Sequence, residues 1–205
     1  MKQTIDVYFD VGSPASYLAW TQLPDLAARH GARINWRPIL LGAVFQATGN
    51  QTPAAIPAKG RYMSMDLQRF AQAYGVDFRF NPHFPVNTLM LMRGAVAYLD
   101  SPRLQDYLGA VFRALWVDGQ NMGEPDVVAD VLARAGFDPQ EVLGKVEQPD
   151  IKKALKDITA HALERGVFGA PTLFLGDAMY FGQDRLWQVE EALADSAHST
   201  PKEPS

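Results

Sequence analysis

The sequence has 205 residues, 47% of them hydrophobic and 20% charged, with a formal net charge of −4. Such a chain can bury a sizeable core, and its acidity offers no general attraction to nucleic acid or anionic membrane. Cysteine is absent, which removes disulfides, thiolate metal sites, cysteine nucleophiles and dithiol redox chemistry, so any thiol used must come from a ligand. The histidines His30, His83, His161 and His198 are scattered and form no ligand spacing, so no metal is expected. Asp6 and Asp10 interrupt the first apolar stretch and no run of 18 apolar residues occurs. Neither a signal peptide nor a membrane span is expected, and the chain reads as cytoplasmic.

In chain order, residues 4–9, TIDVYF, predict a strand, and residues 14–30 predict a helix that closes at Gly31. Between them lies Asp10-Val11-Gly12-Ser13, whose serine is placed to cap the helix, with Pro14 at the first position where a missing N–H costs nothing. A second β-rich segment at 33–39 completes a βαβ unit, which predicts parallel strands and a right-handed crossover. From Leu41 to about Gly60, the Gly, Pro and Asn content predicts an irregular connection.

A long helical stretch follows, with helices predicted near 61–74 and 88–100. The clearest runs from Pro102 to Val117, where Leu104, Tyr107, Leu108, Val111, Phe112, Leu115 and Trp116 recur at a spacing of 3,1,3,1. Val127, Val128, Val131, Leu132 and Ala135 repeat that pattern and stop at Gly136. Asp138-Pro139 then opens another helix, and Ile151 to Ala162 marks one more, ended by Gly166. Strand character returns at Pro171–Leu175 and Ala178–Phe181 around Gly176-Asp177, predicting a hairpin. Gly182-Gln183-Asp184 leads into a last helix, and residues 196–205 read as a disordered tail.

The order βαβ, helical insertion, ββα is that of an α/β thioredoxin-like domain. It assigns 1–60 and 167–195 to that domain and 61–166 to an all-helical insertion. Pro171 opens the third strand behind Gly169-Ala170, and a cis peptide bond is expected there.

The motifs FDVGSPASYLA, RPILLGAVFQATGN, PAKGRYM, FPVNTL, FGAPTLFL and YFGQDRL occur in this order across nearly the whole chain. With them the sequence resembles the family of kappa-class glutathione transferases and bacterial 2-hydroxychromene-2-carboxylate isomerases, within the DsbA-like thioredoxin superfamily. The resemblance implies glutathione as cofactor and Ser13 as the catalytic residue, its hydroxyl donating to the glutathione sulfur. It also implies glutathione contacts from Asn50 and Lys59 at the glycyl end, and from the Ala170 backbone beside Pro171 at the cysteinyl unit. Gln183 and Asp184 are assigned to the γ-glutamyl group, although some kappa-class members carry serine at the position of Gln183.

Arg37 and Arg185 are candidates for a substrate carboxylate, and Tyr62, Met63, Met65 and Phe84 for an apolar aromatic pocket. The implied reaction interconverts 2-hydroxychromene-2-carboxylate and trans-o-hydroxybenzylidenepyruvate, or a close aromatic analogue, as in naphthalene degradation. The implied assembly is a homodimer. A glutathione-consuming transferase or peroxidase, and a non-catalytic thioredoxin-like module gripping extended peptides beside Pro171, are the alternatives.

Overall fold

Successive side chains of a strand point to opposite sides, and the stretch Thr4–Phe9 (β1) buries side chains on both. Ile5, Val7 and Phe9 are buried on one face and Tyr8 on the other, as befits a central strand covered on two sides. The computed structural model of the chain describes residues 3–198. After β1 come helix α1 (Pro14–Arg29), strand β2 (Arg33–Pro38) and helix α2 (Leu41–Thr48). The helical stretch holds α3 (Pro57–Tyr74), α4 (Leu89–Ala97), α5 (Leu104–Trp116), α6 (Pro125–Arg134), α7 (Pro139–Val146) and α8 (Pro149–Glu164). Strands β3 (Thr172–Leu175) and β4 (Ala178–Phe181) form the hairpin, and α9 (Leu186–His198) closes the order.

The sheet order is β2-β1-β3-β4, with β1 parallel to β2 and antiparallel to β3, and β3 antiparallel to β4. One face carries Ile5, Val7, Phe9, Trp36 and Leu173 into a core shared with α1, α5 and α9. Tyr8 and Phe174 on the other face pack with Val44 of α2 and Ala162 of α8. Arg165 clips that second face, reaching Asp6 at 2.7 Å and lying 3.8 Å over the Phe174 ring.

The stripe predicted on α5 is buried throughout, from Leu104 to Trp116. It joins the core of the sheet to α4, α6 and α7 without a break. Trp116 adds a polar tie, its indole N–H donating 2.8 Å to the Val11 carbonyl in the turn after β1. Among the described residues no helix is long and apolar enough to cross a membrane.

Two expectations are corrected. The connection from Leu41 to Gly60 is not irregular: it holds α2, a 3-10 turn at Pro53–Ala55 and the first turn of α3. Helix α2 was hidden because its start has no local signal. Leu40 supplies no side-chain cap, and the Leu41 N–H is instead received by the Asp10 carboxylate, 31 residues away, at 2.8 Å. The last helix also runs through His198, three residues into the expected tail, while 199–205 lie outside the described residues. The cis bond at Ala170-Pro171 is present, and Phe84-Pro85 is a second that the sequence reading did not anticipate.

Gly94 of α4 lies against Tyr107 of α5 with no room for a side chain. A Cβ built there would lie 2.0 Å from the Tyr107 hydroxyl oxygen, which is fixed by donating 2.9 Å to the Leu91 carbonyl. Gly94→Ala is therefore expected to lower unfolding free energy by about 1–3 kcal/mol, the usual range for overpacking. Urea denaturation of the variant against the parent measures it.

Candidate active site

The turn after β1 is built around one buried carboxylate. Asp10 is 1% exposed; its Oδ1 accepts the Gly12 N–H at 2.9 Å, and its Oδ2 accepts the Leu41 N–H at 2.8 Å and the Thr88 hydroxyl at 3.1 Å. The Asp10 carbonyl takes the Ser13 N–H at 3.0 Å. The helical insertion grips the turn on its other side: the Val11 N–H points to the Met92 sulfur at 3.3 Å, and Trp116 holds the Val11 carbonyl. Gly12 fits because a Cβ there would meet the Thr88 methyl at 2.8 Å.

This turn delivers Ser13 to the start of α1. Ser13 has extended backbone angles, φ −92° and ψ 116°, and its Oγ accepts the Ser16 N–H at 3.1 Å, so it is the helix cap that the Ser-Pro pair predicts. The same hydroxyl donates 2.9 Å to the carbonyl of Ala170. Neither the Ala15 N–H nor the Ala170 N–H has a protein acceptor among the described residues. The site thus joins an opening helix, a hydroxyl and two open amides, an arrangement suited to a small anion and to an extended backbone.

These groups border a cavity of about 1040 Å³. Ser13, Asn50, Phe84, Ala170, Gln183 and Asp184 all lie on its wall, as does Met63. Asn50 Nδ2 donates 2.8 Å to the Phe168 carbonyl, tying the segment after α2 to the loop before β3. Pro171 stands directly behind Ala170, its carbonyl taking the Gly182 N–H at 2.9 Å. Tyr74 fixes the next residue by donating 3.0 Å to the Gln183 carbonyl, and Asp184 is paired with Arg185.

Other candidates lie off that wall. Arg37 is on the α8 side of the sheet, in register with Tyr8, and its buried Nε has no partner. Tyr62 is 58% exposed and Met65 53%, while Lys59 is exposed in the first turn of α3. Arg185 is turned to Asp184. Lys59 does precede Met63 by four residues and so shares its stripe of α3.

The sequence reading missed Asp10, Thr88, Met92 and Trp116 as the groups that fix the turn. An acid between an apolar strand and a Gly-Ser-Pro turn was the available signal for Asp10. Phe168 and Phe181, whose rings are 4.6 Å apart, were also unassigned. Gly169 is required beside them, since a Cβ there would lie 2.7 Å from the Phe181 ring.

Burial pushes the Asp10 carboxyl above its ordinary value, against the Leu41, Gly12 and Thr88 donors that favour the charged form. The folded chain therefore keeps this proton to higher pH than the unfolded chain, and its stability falls as pH rises above about 3.8 through the folded value. Asp10→Asn abolishes that titration but turns an amide donor toward one of the N–H groups. Its stability deficit relative to the parent is expected to be larger at pH 4 than at pH 7, measured by urea denaturation of both proteins at the two pH values.

Comparison with known proteins agrees with this architecture. The sequence profile of the DSBA-like thioredoxin domain matches residues 4–194. A 2-hydroxychromene-2-carboxylate isomerase of Pseudomonas sp. (strain C18) is 34% identical over 194 residues, covering 92% of this chain and 89% of the relative. Human glutathione S-transferase kappa 1 is 28% identical, covering 95% of this chain and 92% of the relative. A solved structure of a 2-hydroxychromene-2-carboxylate isomerase superposes with a TM-score of 0.86 at 32% identity, covering 95% of this chain and 96% of that one. The chain belongs to the DSBA-like thioredoxin family, among the 2-hydroxychromene-2-carboxylate isomerases and kappa-class glutathione transferases.

Proposed function

We propose that the protein is a glutathione-dependent isomerase of aromatic unsaturated carbonyl compounds, of the 2-hydroxychromene-2-carboxylate type. The observation that carries this reading is a serine hydroxyl between one open amide at a helix start and another in the facing proline loop, in a chain that has no cysteine of its own. The relatives named as isomerases and kappa-class transferases support it. A cavity of about 1040 Å³ has room for a tripeptide and a second ligand together.

In this reading the cysteinyl unit of glutathione pairs with Ala170 like an added strand. Its N–H takes the Ala170 carbonyl, and the Ser13 hydroxyl, released from that carbonyl, turns to the sulfur. The Ala15 amide and the helix start add positive potential, the environment that lowers thiol pKa. Asp184 receives the γ-glutamyl ammonium, and Lys59 swings from the rim to the glycyl carboxylate. Asn50 and Gln183 border the carrier on either side.

The bound thiolate then forms an S–C bond to the alkene carbon β to the ketone, and the alkene electrons pass to the carbonyl as an enolate. Rotation about the new single bond follows. The enolate collapses, the double bond re-forms and the thiolate leaves unchanged, so electrons balance with no oxidant. In the cis isomer the phenol oxygen can close on the ketone carbon, its proton passing to the ketone oxygen to give the chromene hemiketal. The protein supplies orientation and sulfur ionisation, and the thiol supplies the nucleophile. A reducing cytoplasm, where a free tripeptide thiol persists, is the matching compartment.

The test is to incubate the protein with trans-o-hydroxybenzylidenepyruvate, with and without catalytic glutathione, following both isomers and total thiol. Thiol-dependent interconversion without net thiol loss is expected. Stoichiometric conjugation would favour a transferase, and glutathione-independent turnover would overturn the reading. Ser13→Ala is expected to lower turnover about 10- to 100-fold, the equivalent of one hydrogen bond to a charged group at about 1.5–3 kcal/mol. The absorbance of bound thiolate should titrate at higher pH in that variant, a change that loss of a helix cap alone would not produce.

A further inference from the structure

The turn 182–185 is a thin partition. Gln183 and Asp184 lie on the wall of the large cavity and also on that of a second cleft of about 340 Å³, whose other side is given by Phe70 and Tyr74 of α3 and Trp187 of α9. A segment with open space on two sides takes its shape from the bonds that hold it. The Gly182 N–H donates 2.9 Å to the Pro171 carbonyl and ties the turn to the proline loop. The Tyr74 hydroxyl donates 3.0 Å to the Gln183 carbonyl and ties it to α3. The Leu186 N–H shares that carbonyl from within the same segment. Burial, with the Asp184 carboxylate nearby, raises the Tyr74 hydroxyl above its ordinary value, so it remains a donor at neutral pH.

The place of the Asp184 carboxylate follows from the shape of this turn. Gly182 has φ +97°, and a Cβ there would collide with Asp184 Oδ1, so the carboxylate folds back over the Gly182 Cα. A rotation of the backbone at Gln183 would swing it away from the cavity wall. We propose that Tyr74 is a positioning residue that sets which thiol carrier the site accepts, acting through the Gln183 carbonyl on the Asp184 carboxylate. The inference rests on the glutathione reading, in which Asp184 receives the γ-glutamyl ammonium. A thiol with no ammonium at that distance gains nothing from the Tyr74 bond.

Tyr74→Phe tests this, since it removes the hydroxyl and keeps the ring, which lies 5.8 Å from that of Phe70. Isomerisation of trans-o-hydroxybenzylidenepyruvate is followed with glutathione and with cysteinylglycine, which has the same thiol and glycyl end without the γ-glutamyl group. In Tyr74→Phe the KM for glutathione is expected to rise about three- to tenfold, the range of one neutral hydrogen bond, with kcat at saturating glutathione unchanged. With cysteinylglycine kcat/KM should stay within about twofold of the parent, and in an Asp184→Asn background Tyr74→Phe should raise the glutathione KM by less than about twofold, because the charge it places is gone.

An unchanged glutathione KM in Tyr74→Phe, or a loss confined to kcat, would overturn the proposal. So would an equal loss with both thiols, or effects of Tyr74→Phe and Asp184→Asn that simply multiply. Where cysteinylglycine supports no turnover, the pair of substitutions decides with glutathione alone. If the parent shows no glutathione-dependent turnover, the thiolate reading falls and this inference with it, an outcome distinct from normal turnover with a KM indifferent to Tyr74.

Discussion

The Asp10 carboxylate is the constraint on which the site depends. Its two oxygens receive N–H groups from its own turn and from the start of α2, and a hydroxyl from the segment entering α4. A buried charge left with fewer partners would cost several kcal/mol, so these segments must converge on one point. Once they do, Ser13 is fixed at the start of α1, and two walls of the cavity are placed relative to it. The same convergence explains why an insertion can sit between the halves of the α/β unit without separating them. Thr88, Met92 and Trp116 all return to the turn after β1.

The fold was legible where its signals are local. The stripe on α5, the Ser-Pro start of α1 and the Gly-Asp turn of the hairpin each depend on neighbours a few residues away, and each stands where the periodicity or turn chemistry placed it. Helix α2 was not legible, because its start is received by a carboxylate 31 residues upstream while its own sequence offers one fully buried position, Val44. Asp10 itself read only as an interruption of an apolar stretch. A carboxylate that organises a turn differs from one on the surface only by what surrounds it in space.

The site residues divide along the same line. The candidates Ser13, Ala170, Gln183 and Asp184 lie in motifs that carry their own turn or cap, and the structure brings them to one wall. Arg37 and Tyr62 were proposed from side-chain chemistry, and their directions were set by strand and helix phase. Arg37 falls on the same side of the sheet as Tyr8 and faces α8, because residues paired in register share a face. Tyr62 precedes Met63 by one residue, about 100° around the helix, and so turns outward where Met63 turns to the cavity.

Under the proposed function, a serine at position 13 is what would let this site serve a borrowed thiol without exchanging disulfides itself. A cysteine there would feel the same helix start and would ionise readily, and with a second thiol nearby it would form and exchange disulfides. Serine keeps the favourable position but not the sulfur. Its oxygen is held between the Ser16 N–H and the Ala170 carbonyl, so the hydroxyl is a donor already aimed across the gap between the helix and the proline loop. The extended backbone of the proposed carrier would compete for that same carbonyl. In the proposed reading, binding of a thiol carrier and release of the hydroxyl toward its sulfur become one exchange, in which one hydrogen bond is replaced rather than lost, and a second is gained only when a thiolate is there to accept it.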